Sequence, residues 1–136
     1  MVALRVGFLT KWLICGGSII TDRHVLTAAH CIDAVHSDRT FRSLRVVVGT
    51  NRWYYGGQTH NVAKMITHEN WNSSTVKNDI GFVITMTHIH LTNSVQLIAL
   101  NFDFIGHNIT SKVAGWGKTK AGGTLSSVLL ELIVYT

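Results

Sequence analysis

The 136-residue sequence contains no proline, only two cysteines and no long apolar run, and charged residues make up only 14% of it. Proline often fixes the backbone of turns, so the turns of this chain must be built from other residues. No run approaches the roughly 18 apolar residues that cross a membrane, so we predict neither a transmembrane helix nor a membrane partner. The two cysteines, Cys15 and Cys31, allow one disulfide in a secreted protein or a reduced pair in a cytosolic one.

The charge of the chain limits the classes of partner. Twelve basic and seven acidic residues give a formal net charge of +5 with histidine neutral. A positive net charge favours acidic partners, but the basic residues are scattered along the sequence and form no dense block. We therefore predict no nucleic-acid partner.

The first fourteen residues, MVALRVGFLTKWLI, are apolar but are interrupted by Arg5 and Lys11. They have neither the uninterrupted apolar centre nor the small-residue cleavage site of a signal peptide. Sequons at Asn72 and Asn108 make these residues candidate N-glycosylation sites and fit an extracellular protein, although such triplets also arise by chance. If the protein is secreted, we expect its targeting segment to lie outside these 136 residues.

Short β-branched runs, separated by polar or glycine-containing segments, make up most of the chain. Helical periodicity is not sustained anywhere, whereas β-branched runs favour strands. Segments 51–58, 70–78 and 118–123 have the composition of turns. Many short strands joined by short loops predict an all-β barrel or sandwich. The predicted strands cover residues 17–20, 24–27, 44–48, 62–66, 80–84, 112–114 and 128–134.

The first candidate functional segment is TAAHC, residues 27–31, in which His30 follows two alanines and precedes Cys31 at the end of a predicted strand. Small neighbours leave room for the backbone of a substrate. A bond between Cys31 and Cys15 would close a loop of about 15 residues, stabilise the protein by roughly 3 kcal/mol and fix the adjacent His30. Taken alone, a histidine of this kind is more often structural than catalytic.

The second candidate is Asp79, which stands at the head of the apolar strand predicted over residues 80–84. Taken alone, it looks like an ordinary turn carboxylate. An ionised carboxylate next to a buried strand is costly unless something pairs with it, and the N–H of an imidazole is a suitable donor.

Four segments, taken in order, resemble the trypsin/chymotrypsin family of serine proteases. Residues 15–20 (CGGSII) are similar to the family's CGGS(L/I)I strand, and residues 25–31 (VLTAAHC) to its catalytic-histidine motif. Residues 68–72 (HENWN) followed by 78–84 (NDIGFVI) resemble the catalytic-aspartate segment, H-P-x-Y-x…N-D-I-A-L-L. Residues 113–117 (VAGWG) match the V-x-G-W-G segment that begins the second barrel. The resemblance extends over essentially the whole chain.

The resemblance implies an all-β fold with trypsin-like antiparallel Greek-key barrels. We expect residues 1–100 to form a nearly complete first barrel that lacks its first edge. Residues 101–136 would then form the interbarrel crossover and the opening strands of a truncated second barrel. The resemblance also implies that His30 is the general base, that Asp79 orients it, and that Cys15 and Cys31 form a disulfide.

The implied function is serine-type endopeptidase action through an acyl-enzyme, in a secreted protein with protein or peptide substrates and protein protease inhibitors as partners. The chain reaches Thr136 before the family's G-D-S-G-G-P segment, and the family's I-V-G-G terminus should precede Met1. We therefore expect an N-terminal fragment that lacks the nucleophilic serine and is inactive alone. Two alternatives stay open: a catalytically inactive homologue that binds other proteins, and a fragment with no separate function.

We predict neither a metal ion nor a cofactor. The family's calcium loop needs acidic ligands, and the corresponding residues 51–58 supply none. Alternation in a strand would place His88 and His90 on one face, but two imidazoles need at least one more ligand, and no cluster of metal-binding spacing accompanies them.

Two other positions carry local expectations. Gly81 stands where the family usually has alanine, a change that should make the strand more flexible but leave Asp79 in place. Residues 53–55 (WYY) could form an exposed recognition loop, but an ordinary turn with packed aromatic rings is favoured.

Overall fold

The structure, a computed structural model, describes residues 1–37 and 41–136. Strands dominate it, as the sequence predicts, and one short α-helix follows the third strand. The elements are β1 (Val2–Val6), β2 (Trp12–Ile19), β3 (His24–Thr27), α1 (Ala29–Ser37), a 3-10 turn (Phe41–Ser43), β4 (Arg45–Val48), β5 (Gln58–Thr67), β6 (Gly81–Thr85), β7 (Thr110–Gly115) and β8 (Leu130–Tyr135).

The first six strands form a closed antiparallel barrel in the order β1-β2-β3-β6-β5-β4. The predicted all-β barrel fold is therefore confirmed. The expectation that this barrel lacks its first edge is wrong, because β1 pairs with β2 on one side and with β4 on the other. Closure leaves no strand of the barrel with an unpaired edge.

Strand β1 was not among the strands predicted from the sequence, because Arg5 interrupts its apolar residues. The strand nevertheless alternates with a period of two. Val2, Leu4 and Val6 join the main core inside the barrel. Arg5 lies on the opposite face, directly across from Arg45 of β4.

Branched aliphatic side chains fill the barrel interior. Burying each valine, leucine or isoleucine stabilises the fold by about 1.5–3 kcal/mol relative to exposure. The residues that line this core are Val2, Leu4, Val6, Ile19, Val25, Ile32, Val35, Leu44, Val46, Val48, Val83, Ile89 and Val95.

His60 of β5 lies opposite the core residue Val46 and is only 8% exposed. Its Nδ1 is 2.9 Å from the hydroxyl of Thr87, and its Nε2 is 3.4 Å from Oε1 of Gln58. Burial lowers the pKa of the His60 imidazole, because the charged form would lose hydration.

We expect the free energy of unfolding to fall as the pH drops below about 6.5, the pKa of an unperturbed histidine. Between that pH and the lower folded pKa of His60, the unfolded chain binds a proton that the native protein does not, so acid favours unfolding. Urea titrations across this range measure the effect, and His60→Gln should remove part of it. An unchanged pH slope in the variant would contradict the assignment.

Helix α1 was not predicted, because the sequence shows no sustained helical periodicity. The helix has nine residues, and its apolar side packs on the barrel through Ala29, Ile32 and Val35. Its core-facing residues therefore recur at intervals of three, close to the helical repeat, but over only two and a half turns. No helix in the described part of the chain is long and apolar enough to cross a membrane.

Strands β7 and β8 form a separate two-stranded antiparallel sheet, paired from Thr110 with Tyr135 to Gly115 with Leu130. The segment around this sheet meets the barrel at Trp116, which packs with Ala3 and Val47 and donates its indole N–H to the carbonyl of Asn51 (2.8 Å). The sheet leaves several large apolar side chains exposed to solvent: Val113, Leu130, Leu132, Ile133 and Tyr135.

Candidate functional site

His30 lies in the first turn of α1, three residues after Thr27, where β3 ends. The next residue, Cys31, forms a disulfide with Cys15 of β2, with the two Cα atoms 6.1 Å apart. The predicted disulfide is therefore confirmed. Both the helix and the covalent link to β2 fix the backbone that carries His30.

Asp79 lies in the loop that leads into β6, and the preceding residue determines how it enters the site. Asn78 adopts a left-handed conformation with φ of 58°, which asparagine tolerates better than most residues. The side-chain amide of Asn78 donates to the backbone carbonyl of Asn70 (2.8 Å), and the backbone carbonyl of Asn78 accepts the N–H of Ile80 (2.8 Å). These bonds hold the turn that presents Asp79.

Both oxygens of the Asp79 carboxylate contact His30. Oδ2 lies 2.7 Å from the ring atom Nδ1, and Oδ1 accepts the backbone N–H of His30 at 2.8 Å. The Asp79 side chain is 21% exposed, whereas that of His30 is 60% exposed. The structure thus brings the two candidate residues together across 49 residues of sequence, with the carboxylate also capping the helix that carries the histidine.

These contacts determine the protonation of the pair. The hydrogen bond from the His30 ring, followed by that from the His30 backbone, holds the pKa of Asp79 below its usual value, so the carboxylate is ionised at neutral pH. The Nδ1 atom that faces an ionised carboxylate must carry the proton of the neutral ring. The other nitrogen, Nε2, then has a free lone pair that can accept a proton.

The Nε2 edge of the ring lies beside the disulfide, 3.4 Å from Sγ of Cys31 and 3.9 Å from Sγ of Cys15. In the described part of the chain, these three residues are the only group whose ligand atoms lie close enough together to hold a metal ion. Both sulfurs are in the disulfide, so neither can serve as a thiolate ligand.

A hydrogen bond that sequence reasoning missed ties the Asp79 loop to the helix of His30. The indole N–H of Trp71 donates to Oδ2 of Asp33 on α1 at 2.5 Å. Trp71 belongs to the HENWN segment quoted for the family resemblance, and the apolar spacing of α1 was the signal that could have placed Asp33 on a helix. This contact fixes the loop and the helix relative to each other.

The other predicted positions lie elsewhere. Asn72 and Asn108 are exposed, and Oδ1 of Asn72 accepts the backbone N–H groups of residues 74 and 75. His88 and His90 do not lie in a strand, so the alternation expected for them is wrong. His88 instead bonds through Nδ1 to Oδ2 of Asp22 at 2.6 Å.

In the WYY segment, the side chain of the first residue is packed and that of the last is exposed. Trp53 packs against the buried cluster of Ala3, Val47 and Trp116 and donates its indole N–H to the carbonyl of Ser126 (3.1 Å). Tyr55 is 72% exposed.

Gly81 has a packing role beyond the flexibility expected from sequence. A Cβ at this position would lie 2.7 Å from Cδ1 of Ile32 on α1 and 2.7 Å from the carbonyl oxygen of Ile66 on β5. Helix α1 and strand β5 both approach β6 closely at this point, and this favours glycine at the start of β6.

We expect Gly81→Ala to lower the free energy of unfolding by about 1–3 kcal/mol, the usual cost of overpacking. The Ile32 side chain can move, but the carbonyl of Ile66 belongs to a paired strand and cannot. Gly117→Ala is the matched control, because a Cβ there meets nothing within 4 Å. Urea unfolding measures both, and equal stabilities of the two variants would contradict the packing argument.

Known protein families and curated proteins include clear matches to this chain. The Trypsin family model matches residues 1–136. The chain is 37% identical to "Trypsin, alkaline B" of Manduca sexta over 130 residues, which cover 93% of this chain and 49% of the relative. It is 33% identical to "Trypsin epsilon" of Drosophila erecta over 124 residues, covering 88% of this chain and 47% of the relative. The chain thus spans about half the length of the curated relatives it matches. It belongs to the trypsin family of serine endopeptidases.

Proposed function

We propose that the protein is a serine-type endopeptidase in which His30 is the general base and Asp79 orients it. The observation that carries this proposal is the double contact of the Asp79 carboxylate with the ring Nδ1 and the backbone N–H of His30. An ionised carboxylate in that position keeps the proton on Nδ1 and leaves Nε2 free to accept another.

In the proposed reaction, a serine hydroxyl attacks the carbonyl carbon of the scissile peptide bond while Nε2 of His30 takes its proton. Asp79 then stabilises the positive imidazolium. His30 returns the proton to the leaving amine, the C–N bond breaks, and an acyl-enzyme remains. Water activated by the same nitrogen hydrolyses the ester and releases the acid and the serine.

We propose that the nucleophilic serine and the oxyanion-stabilising amides come from residues outside these 136. The chain contains no G-D-S-G-G motif, and in its described part no serine hydroxyl hydrogen-bonds the His30 ring. In this proposal residues 1–100 are the first barrel of the peptidase domain, and 101–136 are the crossover and the first strands of the second.

The family relationship supports protein or peptide substrates, protein protease inhibitors as partners, and a secreted protein. The Cys15–Cys31 disulfide fits an oxidising compartment. The exposed positions of Asn72 and Asn108 keep both sequons accessible to glycosylation.

Burst titration with an acylating peptide ester tests the proposal. We expect no burst from the 136-residue chain, because a base without a nucleophile forms no acyl-enzyme. We expect a stoichiometric burst from a longer protein in which a G-D-S-G-G segment follows Thr136, and its loss on His30→Ala. A burst from the short chain that disappears on His30→Ala would reveal an unforeseen nucleophile. A longer protein that folds and binds protein partners but gives no burst would identify an inactive, binding homologue.

A further inference from the structure

Three atoms that can bind a metal ion meet at the His30–Asp79 pair: the two sulfurs of the disulfide and Nε2 of His30. Nε2 lies 3.4 Å from Sγ of Cys31 and 3.9 Å from Sγ of Cys15. In the oxidised protein the sulfurs are bonded to each other and supply no thiolate. Reduction changes their chemistry, because each cysteine then offers a thiolate, and thiolate and imidazole together are ligands that zinc prefers.

The distances between these atoms fit a tetrahedral zinc site. Zinc binds thiolate sulfur at about 2.3 Å and imidazole nitrogen at about 2.0–2.1 Å, which places sulfur and nitrogen about 3.6 Å apart and two sulfurs about 3.8 Å apart. The observed sulfur–nitrogen distances, 3.4 and 3.9 Å, lie on either side of the first value. Only the sulfurs must separate after reduction, and rotation about the Cα–Cβ bonds of Cys15 and Cys31 separates them. The Cα atoms, 6.1 Å apart, can stay in place.

Contacts other than the disulfide hold the backbone that carries the three ligands. Cys15 lies in β2, within the segment that pairs with β1. The carbonyl of the next residue, Gly16, accepts a hydrogen bond from the hydroxyl of Thr27 at the end of β3 (2.9 Å). The first turn of α1, which carries the other two ligands, is held by the bond from the backbone N–H of His30 to Asp79. The ligands therefore stay close together when the S–S bond is broken.

Asp79 supplies the outer partner that zinc-bound histidines have in proteins. A histidine that binds a metal through one ring nitrogen usually donates the N–H of the other to a carboxylate or a carbonyl. Here Nδ1 of His30 donates to Oδ2 of Asp79 at 2.7 Å, which orients the ring and leaves the lone pair of Nε2 for a metal. The ring is thus already in the tautomer that the zinc site requires.

The exposure of these residues permits both reduction and entry of the metal. Cys15 is half-buried and the side chain of His30 is 60% exposed, whereas Cys31 is only 4% exposed. A reductant therefore reaches the bond from the side of Cys15, and the open side of His30 leaves room for water as a fourth ligand. The charge of one zinc ion balances that of two thiolates, so the buried Cys31 thiolate is not left unpaired.

We propose that the reduced protein binds one zinc ion through Sγ of Cys15, Sγ of Cys31 and Nε2 of His30. A dithiol reductant supplies the two electrons that break the disulfide. Its first thiolate attacks one sulfur, which breaks the S–S bond of the protein and releases one cysteine. Its second thiolate attacks the mixed disulfide, which releases the other cysteine and leaves the reductant as a cyclic disulfide. Binding of Zn²⁺ then displaces one proton from each cysteine thiol.

Zinc in this site occupies the lone pair that the proposed reaction uses. With a metal on Nε2, His30 cannot accept the proton of a serine, so zinc binding inactivates the general base. This consequence rests on the proposed function, whereas the binding itself does not. Metal titrations of the 136-residue chain involve no peptide cleavage, so failure of the zinc site and failure of the proposed reaction are separate results.

Titration of the reduced 136-residue chain with Co²⁺, a spectroscopic substitute for zinc, tests the proposal. The chain is reduced with a dithiol, and the reductant is removed anaerobically because dithiols bind metals. We expect one cobalt ion per chain, with a thiolate-to-cobalt charge-transfer band and the ligand-field bands of a tetrahedral site, and loss of these bands when Zn²⁺ is added. Zinc should raise the melting temperature of the reduced chain and leave that of the oxidised chain unchanged.

Four single variants of the reduced chain test the assigned ligands. His30→Ala should weaken zinc affinity by about tenfold or more, because the loss of even an outer partner of a ligand has that effect. The matched control His88→Ala removes another exposed imidazole that bonds to a carboxylate through Nδ1, and it should leave affinity unchanged. Asp79→Asn should weaken affinity about tenfold, and its control Asp22→Asn should not.

The aspartate variants also separate the native site from zinc binding by an unfolded chain, because an unfolded chain has no contact between His30 and Asp79. Circular dichroism of the zinc-loaded chains verifies that they are folded. The NMR signal of the Nδ1 proton of His30 should persist in the zinc-loaded parent, since the metal binds the other nitrogen. Equal affinities of the oxidised and reduced chains, of the two histidine variants, or of the two aspartate variants would each overturn the proposal. A reduced chain that stays unfolded when zinc is added would also contradict it.

Discussion

Replacing Asp79 by asparagine should lower kcat by about 10⁴-fold in a longer protein that supplies the serine, the magnitude known for this substitution in the family. The physical cause is the tautomer of His30. The ionised carboxylate accepts a hydrogen bond from Nδ1–H at 2.7 Å, whereas an asparagine amide can donate to Nδ1 and move the ring proton to Nε2. A ring protonated at Nε2 cannot take the proton of serine.

The matched control is Asp22→Asn, because Asp22 also bonds to a histidine Nδ1, that of His88, at 2.6 Å. Removing that carboxylate should leave kcat within a few-fold of the parent. Steady-state kinetics with a peptide ester and a peptide amide measure both variants. In the 136-residue chain, the NMR signal of the hydrogen-bonded Nδ1 proton should disappear on Asp79→Asn and persist on Asp22→Asn. Similar kinetic losses in the two variants would contradict the assigned role of Asp79.

The sequence predicts the strands well where β-branched residues face the core on one side. Strand β3 has the predicted limits, residues 24–27, and β4 and β6 differ from the predictions by one residue at one or both ends. The two elements that were missed have physical explanations. In β1, Arg5 looked like a break in an apolar run, but it occupies the outward position of an alternating strand beneath the loop of Trp53. Helix α1 has too few turns for its periodicity to stand out from the preceding strand.

The pairing of His30 with Asp79 could be predicted only from the family resemblance, because no local sequence pattern brings these two residues together. The contact arises where β3 pairs with β6, with Thr27 opposite Gly81, so the residues that follow one strand meet those that precede the other. The second bond, from the backbone N–H of His30 to Oδ1 of Asp79, requires a helix at that point.

Removing the disulfide with the double variant Cys15→Ala/Cys31→Ala should lower the free energy of unfolding by about 3 kcal/mol. The two residues are 16 apart in sequence, and the bond limits the conformations of that loop in the unfolded chain. Alanine is preferable to serine, because Cys31 is only 4% exposed and a hydroxyl there would need a hydrogen-bond partner.

The bond also joins β2 to the first turn of α1, so its loss should loosen the segment that carries His30. We expect faster amide exchange at the start of the helix and a weaker Nδ1 proton signal from His30, while the hydrogen-bonded core of β4 and β5 stays protected. Parent protein treated with a thiol reductant is the control, because it loses the same cross-link without a change of sequence. Its stability and exchange pattern should approach those of the double variant. If the double variant unfolds within about 0.5 kcal/mol of the oxidised parent, the magnitude of an ordinary surface substitution, the disulfide does not stabilise this fold as argued.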